Sequence, residues 1–317
     1  MATRKIRRPK KTVKKKKKRG IWNAYLIRAV AGLGILLLLV IAAGVLLSHF
    51  MLKRSTVPPK TRFRVVRSPR FEIYPKNDIS PRELLPKTLH KAPEGRPKVA
   101  IIIDDIGYDK TMAEKFLALN AIITFSILPQ SPYEKNIAIS VHRKGYDVML
   151  HLPMEPDEYP SINPGPGVLL TSMSPDQLIH QLNEDLEAFP FIIGVNNHMG
   201  SKLTTLSPQL NQIFSVLKKK GLFFIDSRTT PDTLCKPSAE LFKVPFAQKD
   251  VFIDHKPDPD FIRKQIHRLI SIAVHHGEAV GIAHPHEETY EILREMIPEL
   301  KRKTKLVRAS DIVHIGG

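Results

Sequence analysis

The stretch from Val99 to Asp105 constrains the fold more than any other part of the chain. Five apolar residues, Val99 to Ile103, run directly into two adjacent carboxylates, Asp104 and Asp105. Such a run predicts a strand buried on both faces, as in parallel sheets covered by helices. Two like charges at its end are costly to bury unless a cation neutralises one of them. A divalent metal ion would do this and leave the second carboxylate as a base, whereas capping of the next helix or turn is the simpler alternative.

From Lys98 onward, apolar runs alternate with amphipathic helical stretches. Helices are predicted to begin after Ser174, Ser207 and Asp258, each followed by proline, and two of them to end at Gly221 and Gly277. Five more apolar runs are predicted as strands: Ile122–Leu128, Val148–Leu150, Ile192–Val195, Leu222–Ile225 and Ala279–Ala283. This alternation predicts a parallel α/β domain, most simply a barrel of the (β/α) type.

Several predicted strands end in groups that bind metals or transfer protons. These endings are Asp104-Asp105, His151, Asn196-Asn197-His198, Asp226 and His284. In a parallel barrel all of them emerge on the face where active sites lie. Helix capping does not explain the histidines, because histidine is not among the residues that N-caps prefer. Asp and His ligands suit zinc with one position left open for water, although another divalent ion is an alternative.

The first 97 residues differ in composition from the rest. They hold 25 Lys or Arg and 4 Asp or Glu, whereas residues 98–317 hold 24 and 27. The basic charge therefore belongs to the N-terminal segment, and we expect no nucleic-acid groove on the domain. Residues 1–24 are predicted as a basic cytoplasmic tail and residues 25–52 as one transmembrane helix, built around 19 consecutive apolar residues. Residues 53–97 hold eight prolines and are predicted as an extended linker.

The dense basic charge before the apolar stretch sets the predicted topology. It favours a cytoplasmic N-terminus, so the domain of residues 98–317 is expected on the outer, periplasmic or extracytoplasmic, side of the inner membrane. A cleaved signal peptide is the alternative, but its apolar core would be shorter and no small-x-small site is evident. The single cysteine, Cys235, excludes an intramolecular disulfide.

Five segments carry a family resemblance and together span the domain: Ile103-Asp104-Asp105-Ile106-Gly107, His151-Leu152-Pro153-Met154-Glu155-Pro156, Asn196-Asn197-His198-Met199-Gly200-Ser201, Phe224-Ile225-Asp226-Ser227-Arg228-Thr229 and Gly281-Ile282-Ala283-His284-Pro285-His286. With these segments the domain resembles the divergent polysaccharide deacetylases, a branch of the carbohydrate esterases acting on N-acetylated sugars. The resemblance implies a distorted (β/α) barrel, metal-assisted deacetylation and, with the predicted anchor, a bacterial envelope protein.

The resemblance also implies roles for the acidic pair. In the main family the first Asp is the base and the second a zinc ligand, which makes Asp104 the candidate base and Asp105 a candidate ligand. The main family takes two more ligands from a His-x-x-x-His-Pro motif. Here His151 begins this motif, but Glu155 stands where the second His is expected. We predict His198 as the third ligand, with Glu155 as the alternative.

The remaining site residues are predicted for proton transfer and substrate binding. His284 is expected to protonate the departing amine, held by Asp226, and His286 is a weaker rival to His284. A salt-bridged turn is the alternative for Asp226 and Arg228. Asn197 and Arg228 are the candidate substrate-binding residues.

These observations predict a metal-dependent deacetylase that removes N- or O-acetyl groups from an envelope polysaccharide or oligosaccharide. Two alternatives stay open. One is a glycan-binding envelope protein that has lost catalysis, which Glu155 in the ligand motif favours. The other is a metal-dependent amidase with another class of substrate, because barrel rims of this kind serve many chemistries.

Overall fold

The computed structural model describes residues 28–44, 46, 82 and 95–316. The chain divides into two units, Met1–Arg67 and Ser68–Gly317. In the first unit, residues 28–44 form a helix, α1, with exposed side chains. No helix within the described residues combines the length and the apolar character needed to cross a bilayer. The predicted tail, part of the predicted anchor and most of the predicted linker lie outside the described residues, so the anchor and its topology stay predictions.

Residues 95–316 contain nine strands and seven helices. The strands are β1 (Lys98–Ile106), β2 (Thr124–Ile127), β3 (Val148–Met154), β4 (Ile192–Met199), β5 (Phe223–Asp226), β6 (Phe246–Gln248), β7 (Val251–Phe252), β8 (Glu278–Ala283) and β9 (Lys305–Val307). The helices are α2 (Lys110–Ala118), α3 (Glu134–Arg143), α4 (Pro175–Glu187), α5 (Ser207–Lys220), α6 (Cys235–Phe242), α7 (Pro259–His276) and α8 (Glu287–Lys303).

The strands form one parallel sheet that curls. Its order is β6-β5-β4-β3-β2-β1-β8-β7, and β9 pairs with β1 beside this path. The chain passes from β6 at one end of this order to β7 at the other through Lys249 and Asp250 alone. Two ends joined by so short a segment lie close together, which requires a curled sheet. A curled parallel sheet with helices around it agrees with the predicted (β/α) barrel.

Two apolar layers lie on the two faces of this sheet. Ile101 and Ile103 of β1 belong to the larger layer, which includes the buried sides of the helices. Ala100 and Ile102 belong to a smaller layer built almost entirely from strand residues, which fills the inside of the barrel. The two layers explain the unbroken apolar run of β1, because successive side chains point to opposite faces. The same alternation directs Asp104 inward, beyond Ile102.

The six strands expected from apolar runs are all present, and four predicted helix boundaries are confirmed. Asp258 caps the start of α7, where its side chain accepts a hydrogen bond from the backbone N–H of Phe261. Ser174 forms a capping box at the start of α4. Gly221 and Gly277 end α5 and α7 in left-handed conformations, with φ of 69° and 87°. The sequence analysis missed β6, β7 and β9, which are two or three residues long. Runs this short have no periodicity to detect.

Candidate active site

A ring of buried polar side chains lies above the inner apolar layer, at the carboxyl ends of the strands. Strand alternation directs one such side chain inward from each of the first eight strands or from the residues directly after it. They are Asp104, Ser126, His151, Asn196, Ser227, Lys249, Asp254 and His284. The polar groups scattered through the sequence are therefore concentrated at one end of the barrel.

The structure brings together the three predicted metal ligands. Oδ1 of Asp105 lies 3.2 Å from Nε2 of His151 and 3.0 Å from Nδ1 of His198, and the two nitrogens lie 3.1 Å apart. Ligand atoms about 2.0–2.1 Å from a tetrahedral ion are about 3.3 Å apart, so this nearly equilateral triangle is close to the size of a zinc site. All three side chains are buried.

The backbone of Asp105 makes this convergence possible. Strand alternation alone would point Asp105 outward, opposite to Asp104. Asp105 instead adopts a left-handed conformation with φ of 55°. This conformation is uncommon for a residue with a side chain, although aspartate tolerates it better than most. The departure from strand geometry allows two adjacent carboxylates to reach the same end of the barrel.

The electrostatics of the triangle also suit a cation. Burial of the Asp105 carboxyl opposes its ionisation, but His198 and His151 outweigh burial and hold its pKa well below the usual range. Among the described residues, no donor forms a well-aligned hydrogen bond to the buried Oδ1 of Asp105. An ionised carboxylate oxygen that faces two imidazole nitrogens without a well-aligned donor is suited to a divalent ion.

His151 and Asp104 are joined by the Asn196 amide. Nδ1 of His151 lies 3.0 Å from Oδ1 of Asn196, and Nδ2 of Asn196 donates to both oxygens of Asp104 at 2.9 Å. Oδ2 of Asp104 lies 3.8 Å from Nδ1 of His151. The predicted base therefore lies on the side of the His151 ring that faces away from the triangle.

Glu155, the alternative ligand, is engaged elsewhere. Its Oε1 accepts a hydrogen bond from Nζ of Lys202 at 2.6 Å, and its Oε2 accepts one from the backbone N–H of Thr171. Burial opposes ionisation of Glu155, but Lys202 and Thr171 lower its pKa below the usual value. Glu155 thus ties two loops together, and His198 completes the triangle with Asp105 and His151.

The predicted pairing of Asp226 with His284 is wrong. Nδ1 of His284 lies 2.8 Å from Oδ1 of Asp254, whose Oδ2 accepts hydrogen bonds from the His284 backbone N–H at 2.6 Å and from Thr289 Oγ1 at 2.8 Å. The reason is topological, because β7, which Asp254 follows, pairs with β8, which His284 follows. Burial of Asp254 opposes its ionisation, but His284 outweighs burial and lowers its pKa.

His286 lies in the same region as this pair. Its ring centroid is 6.0 Å from that of His284, and ligand atoms of Asp254, His284 and His286 lie within 4.8 Å of one another. Burial lowers the pKa of His286. Both oxygens of Asp254 already accept hydrogen bonds, unlike Oδ1 of Asp105, so this group has the geometry of an oriented histidine.

Asp226 stabilises the turn after β5. Its Oδ1 accepts a hydrogen bond from the backbone N–H of Arg228 at 2.8 Å, and its Oδ2 accepts one from Thr233 Oγ1 at 2.9 Å. Burial raises the pKa of Asp226 above its usual value. Arg228 is half-buried in a left-handed conformation, with Nη1 3.3 Å from Oε1 of Gln248. A turn at Asp226 and Arg228 is thus present, but a hydrogen bond from the Arg228 backbone N–H holds it and not the salt bridge of the alternative.

Asn197 is a buried link between two strand ends. Its Oδ1 accepts a hydrogen bond from the Ser227 backbone N–H at 2.9 Å, and its Nδ2 donates to the Met199 carbonyl at 2.8 Å. The side chain is fully buried. Its predicted contact with substrate has no support in this geometry, since both polar groups bind the backbone.

Two charged residues of the site were not predicted from the sequence. Asp254 follows Val251-Phe252-Ile253, which repeats the pattern of an apolar run ending in a carboxylate. The run is so short that the pattern was not recognised. Lys249 is buried, with Nζ 3.4 Å from the centroid of the Phe252 ring, and no signal in the sequence distinguishes it from the other lysines.

Comparisons with known proteins agree with this architecture. The sequence model of the family described as divergent polysaccharide deacetylases matches residues 101–313. The uncharacterized protein YibQ of Escherichia coli K12 is 32% identical over 217 residues, which cover 68% of this chain and 67% of YibQ. An uncharacterized protein of Haemophilus influenzae is 30% identical over 210 residues, 66% of this chain and 74% of that protein.

A solved structure shares the fold. The crystal structure of the uncharacterized protein ATU2773 from Agrobacterium tumefaciens matches with a TM-score of 0.67 and 23% sequence identity. The match covers 77% of this chain and all of that one.

The family match spans all five segments that carried the resemblance, from the acidic pair to His284. The chain therefore belongs to the divergent polysaccharide deacetylase family.

Proposed function

We propose that this protein is a metal-dependent deacetylase that removes N- or O-acetyl groups from a polysaccharide or oligosaccharide of the cell envelope. The observation that carries the proposal is the triangle formed by Asp105, His151 and His198. Family membership supports the reaction class, and the triangle supplies the group of side chains that the reaction needs. The deacetylase assignment rests on both.

Asp105, His151 and His198 would hold the ion, and zinc matches this set of one carboxylate and two imidazoles best. Another divalent metal is the alternative. When bound, such an ion polarises an acyl carbonyl and lowers the pKa of a water molecule. The three ligands come from β1, β3 and β4, with β2 between β1 and β3, so the barrel itself holds them in position.

Asp104 is the proposed general base. It is fully buried next to the ligand Asp105, and it accepts hydrogen bonds from Asn196 Nδ2 on both oxygens. Hydrogen bonds to a carboxylate favour its charged form, which is the form that accepts a proton. In the proposed reaction Asp104 takes a proton from the attacking water. This role follows from the family resemblance, because Asp104 lies on the Nδ1 side of the His151 ring, away from the triangle.

His284 is the proposed general acid, with Asp254 as the residue that orients it. The Asp254 carboxylate accepts the Nδ1–H of His284, so the proton on Nε2 is the one available to a leaving amine. A buried carboxylate also stabilises the imidazolium form that must precede this transfer. Asp254 therefore takes the role that the sequence analysis gave to Asp226.

Glu155 no longer favours the alternative of a glycan-binding protein without catalysis. That alternative rested on the missing second His of the ligand motif. With His198 in the triangle and Glu155 bonded to Lys202, the set of three ligand atoms is complete without the second His of the motif. The proposed location is the outer side of the inner membrane, anchored through residues 25–52, and the basic and apolar segments of the sequence support it.

The test is metal content and acetate release by the full-length protein purified in detergent. We expect about one zinc-like ion per chain and acetate release from N-acetylated oligosaccharides, both lost in Asp105→Asn. Glu155→Gln is the matched control, because it changes a buried carboxylate of the same region and should retain the ion. A protein that binds the ion but releases no acetate from any glycan tested would contradict the deacetylase assignment and favour glycan binding.

A further inference from the structure

We propose that Asn196 is the positioning residue of this site, which fixes the tautomer of the ligand His151 and holds the proposed base Asp104 through one side-chain amide. The inference rests on the proposed function and deepens it. It gives a role to a buried residue that is neither a proposed ligand nor a proposed base.

Strand register places Asn196 beside His151. The two residues are direct partners in the pairing of β4 with β3. Both point into the barrel, and both are fully buried. Oδ1 of Asn196 lies 3.0 Å from Nδ1 of His151 and also accepts a hydrogen bond from Ser126 Oγ. Nδ2 lies 2.9 Å from each oxygen of Asp104 and 3.3 Å from Ser227 Oγ.

These neighbours determine which way the amide faces. In the structure the NH₂ group of Asn196 lies 2.9 Å from both oxygens of Asp104, where it can donate its hydrogen bonds. Reversing the amide would bring a carbonyl oxygen against a buried carboxylate and leave two acceptors unsatisfied, at a cost of about 1–3 kcal/mol for each. Oδ1 therefore faces His151 and requires a proton on its Nδ1.

The orientation of the amide sets the tautomer of His151. A neutral imidazole with its proton on Nδ1 has its lone pair on Nε2. Nε2 is the atom that lies 3.2 Å from Oδ1 of Asp105 and 3.1 Å from Nδ1 of His198. The lone pair therefore faces the centre of the triangle, as a metal ligand requires. Partners of this kind typically change metal affinity by about 10- to 100-fold.

An amide is suited to this position because it both donates and accepts. An aspartate at position 196 would still accept the Nδ1–H of His151. It would, however, bring a second carboxylate to the 2.9 Å distance at which Nδ2 now meets Asp104. The two functions of Asn196 can therefore be separated by substitution: Asn196→Asp keeps the contact with His151 and loses the one with Asp104, whereas Asn196→Leu loses both.

The test compares wild type, Asn196→Leu, Asn196→Asp and the control Ser227→Ala. The control removes only the 3.3 Å contact between Nδ2 of Asn196 and Oγ of Ser227. Zinc affinity is measured by chelator competition, and the hydrogen bond of the His151 Nδ1–H by ¹H–¹⁵N NMR and solvent exchange in the zinc-loaded protein. We expect a slowly exchanging Nδ1–H in the wild type, in Asn196→Asp and in Ser227→Ala, with the zinc affinity of Ser227→Ala within about threefold of wild type. Asn196→Leu should lose the protection of Nδ1–H and weaken zinc binding about 10- to 100-fold. Acetate release by Asn196→Asp should fall although zinc is retained.

Two results would overturn the inference. One is wild-type zinc affinity and Nδ1–H protection in Asn196→Leu, which would reduce Asn196 to a buried structural amide. The other is a His151 Nδ1–H that exchanges freely with solvent in the zinc-loaded wild type, which decides the question even when the leucine variant fails to fold. Neither measurement uses a substrate, so the absence of acetate release would reject the proposed function while the protection of Nδ1–H still tests the inference.

Discussion

The pairing of His284 with Asp254 leads to a sharp prediction for Asp254→Asn. Oδ2 of Asp254 accepts two hydrogen bonds, from the His284 backbone N–H and from Thr289 Oγ1. In the asparagine variant this position must keep the oxygen, because an NH₂ group there would oppose both donors. The NH₂ group must then take the position of Oδ1, 2.8 Å from Nδ1 of His284.

An amide donor at that position reverses the tautomer of the His284 ring. Nδ1 becomes an acceptor, the proton moves to Nε2, and the imidazolium loses its buried counter-charge. We expect the rate of acetate release to fall about 10²- to 10⁴-fold, which is the usual contribution of a positioned general acid. Loss of the charged acceptor should lower stability by about 1.5–3 kcal/mol. Zinc content should be unchanged, because Asp254 is not part of the triangle.

The assay is initial-rate acetate release at saturating zinc, together with zinc content and chemical denaturation. Asp226→Asn is the matched control, since it neutralises a buried carboxylate that the structure assigns to the turn after β5. It should keep the rate of acetate release within about threefold, because both oxygens of Asp226 bind the turn after β5. A hundredfold lower rate of acetate release in Asp226→Asn, with the rate of Asp254→Asn close to wild type, would refute the assignment of the two carboxylates.

Three further predictions concern the third ligand, pH and topology. His198→Ala should abolish stoichiometric zinc binding while Glu155→Gln retains it, by metal analysis; the reverse result would make Glu155 the ligand. Burial raises the pKa of Asp185 to about 8, so its contribution to stability is full below pH 4 and is lost as pH rises through 8. Asp185→Asn should therefore raise the free energy of unfolding at pH 7 by about 1–3 kcal/mol and flatten its fall between pH 4 and 8, by denaturant titration; an unchanged slope would contradict this. A C-terminal reporter should be active only outside the cytoplasm, and activity confined to the cytoplasm would reject the predicted anchor.

The ends of the long strands were predictable because two independent patterns agree there. Apolar runs such as Val99 to Ile103 specify buried strands, and parallel topology brings their carboxyl ends together. This reasoning predicts from the sequence alone that Asp105, His151 and His198 lie close together. The left-handed backbone of Asp105 was not predictable, because the sequence does not show which of two adjacent carboxylates departs from strand geometry.

The partners of the site residues were less predictable, because they depend on which strands are neighbours. Asp226 and Asp254 both follow apolar runs and precede loops, and only the pairing of β7 with β8 decides which one meets His284. Glu155 shows the same limit. Its position in the motif favours a ligand, whereas its orientation is set by Lys202 and Thr171 from two other loops.

Anomalous diffraction from crystals of the zinc-loaded protein, recorded at the zinc absorption edge, tests whether the triangle binds the ion. We expect one strong peak about 2.0–2.2 Å from Oδ1 of Asp105, Nε2 of His151 and Nδ1 of His198. A peak beside Glu155, a peak only between Asp254 and His284, or no peak in a crystal soaked at saturating zinc would contradict it.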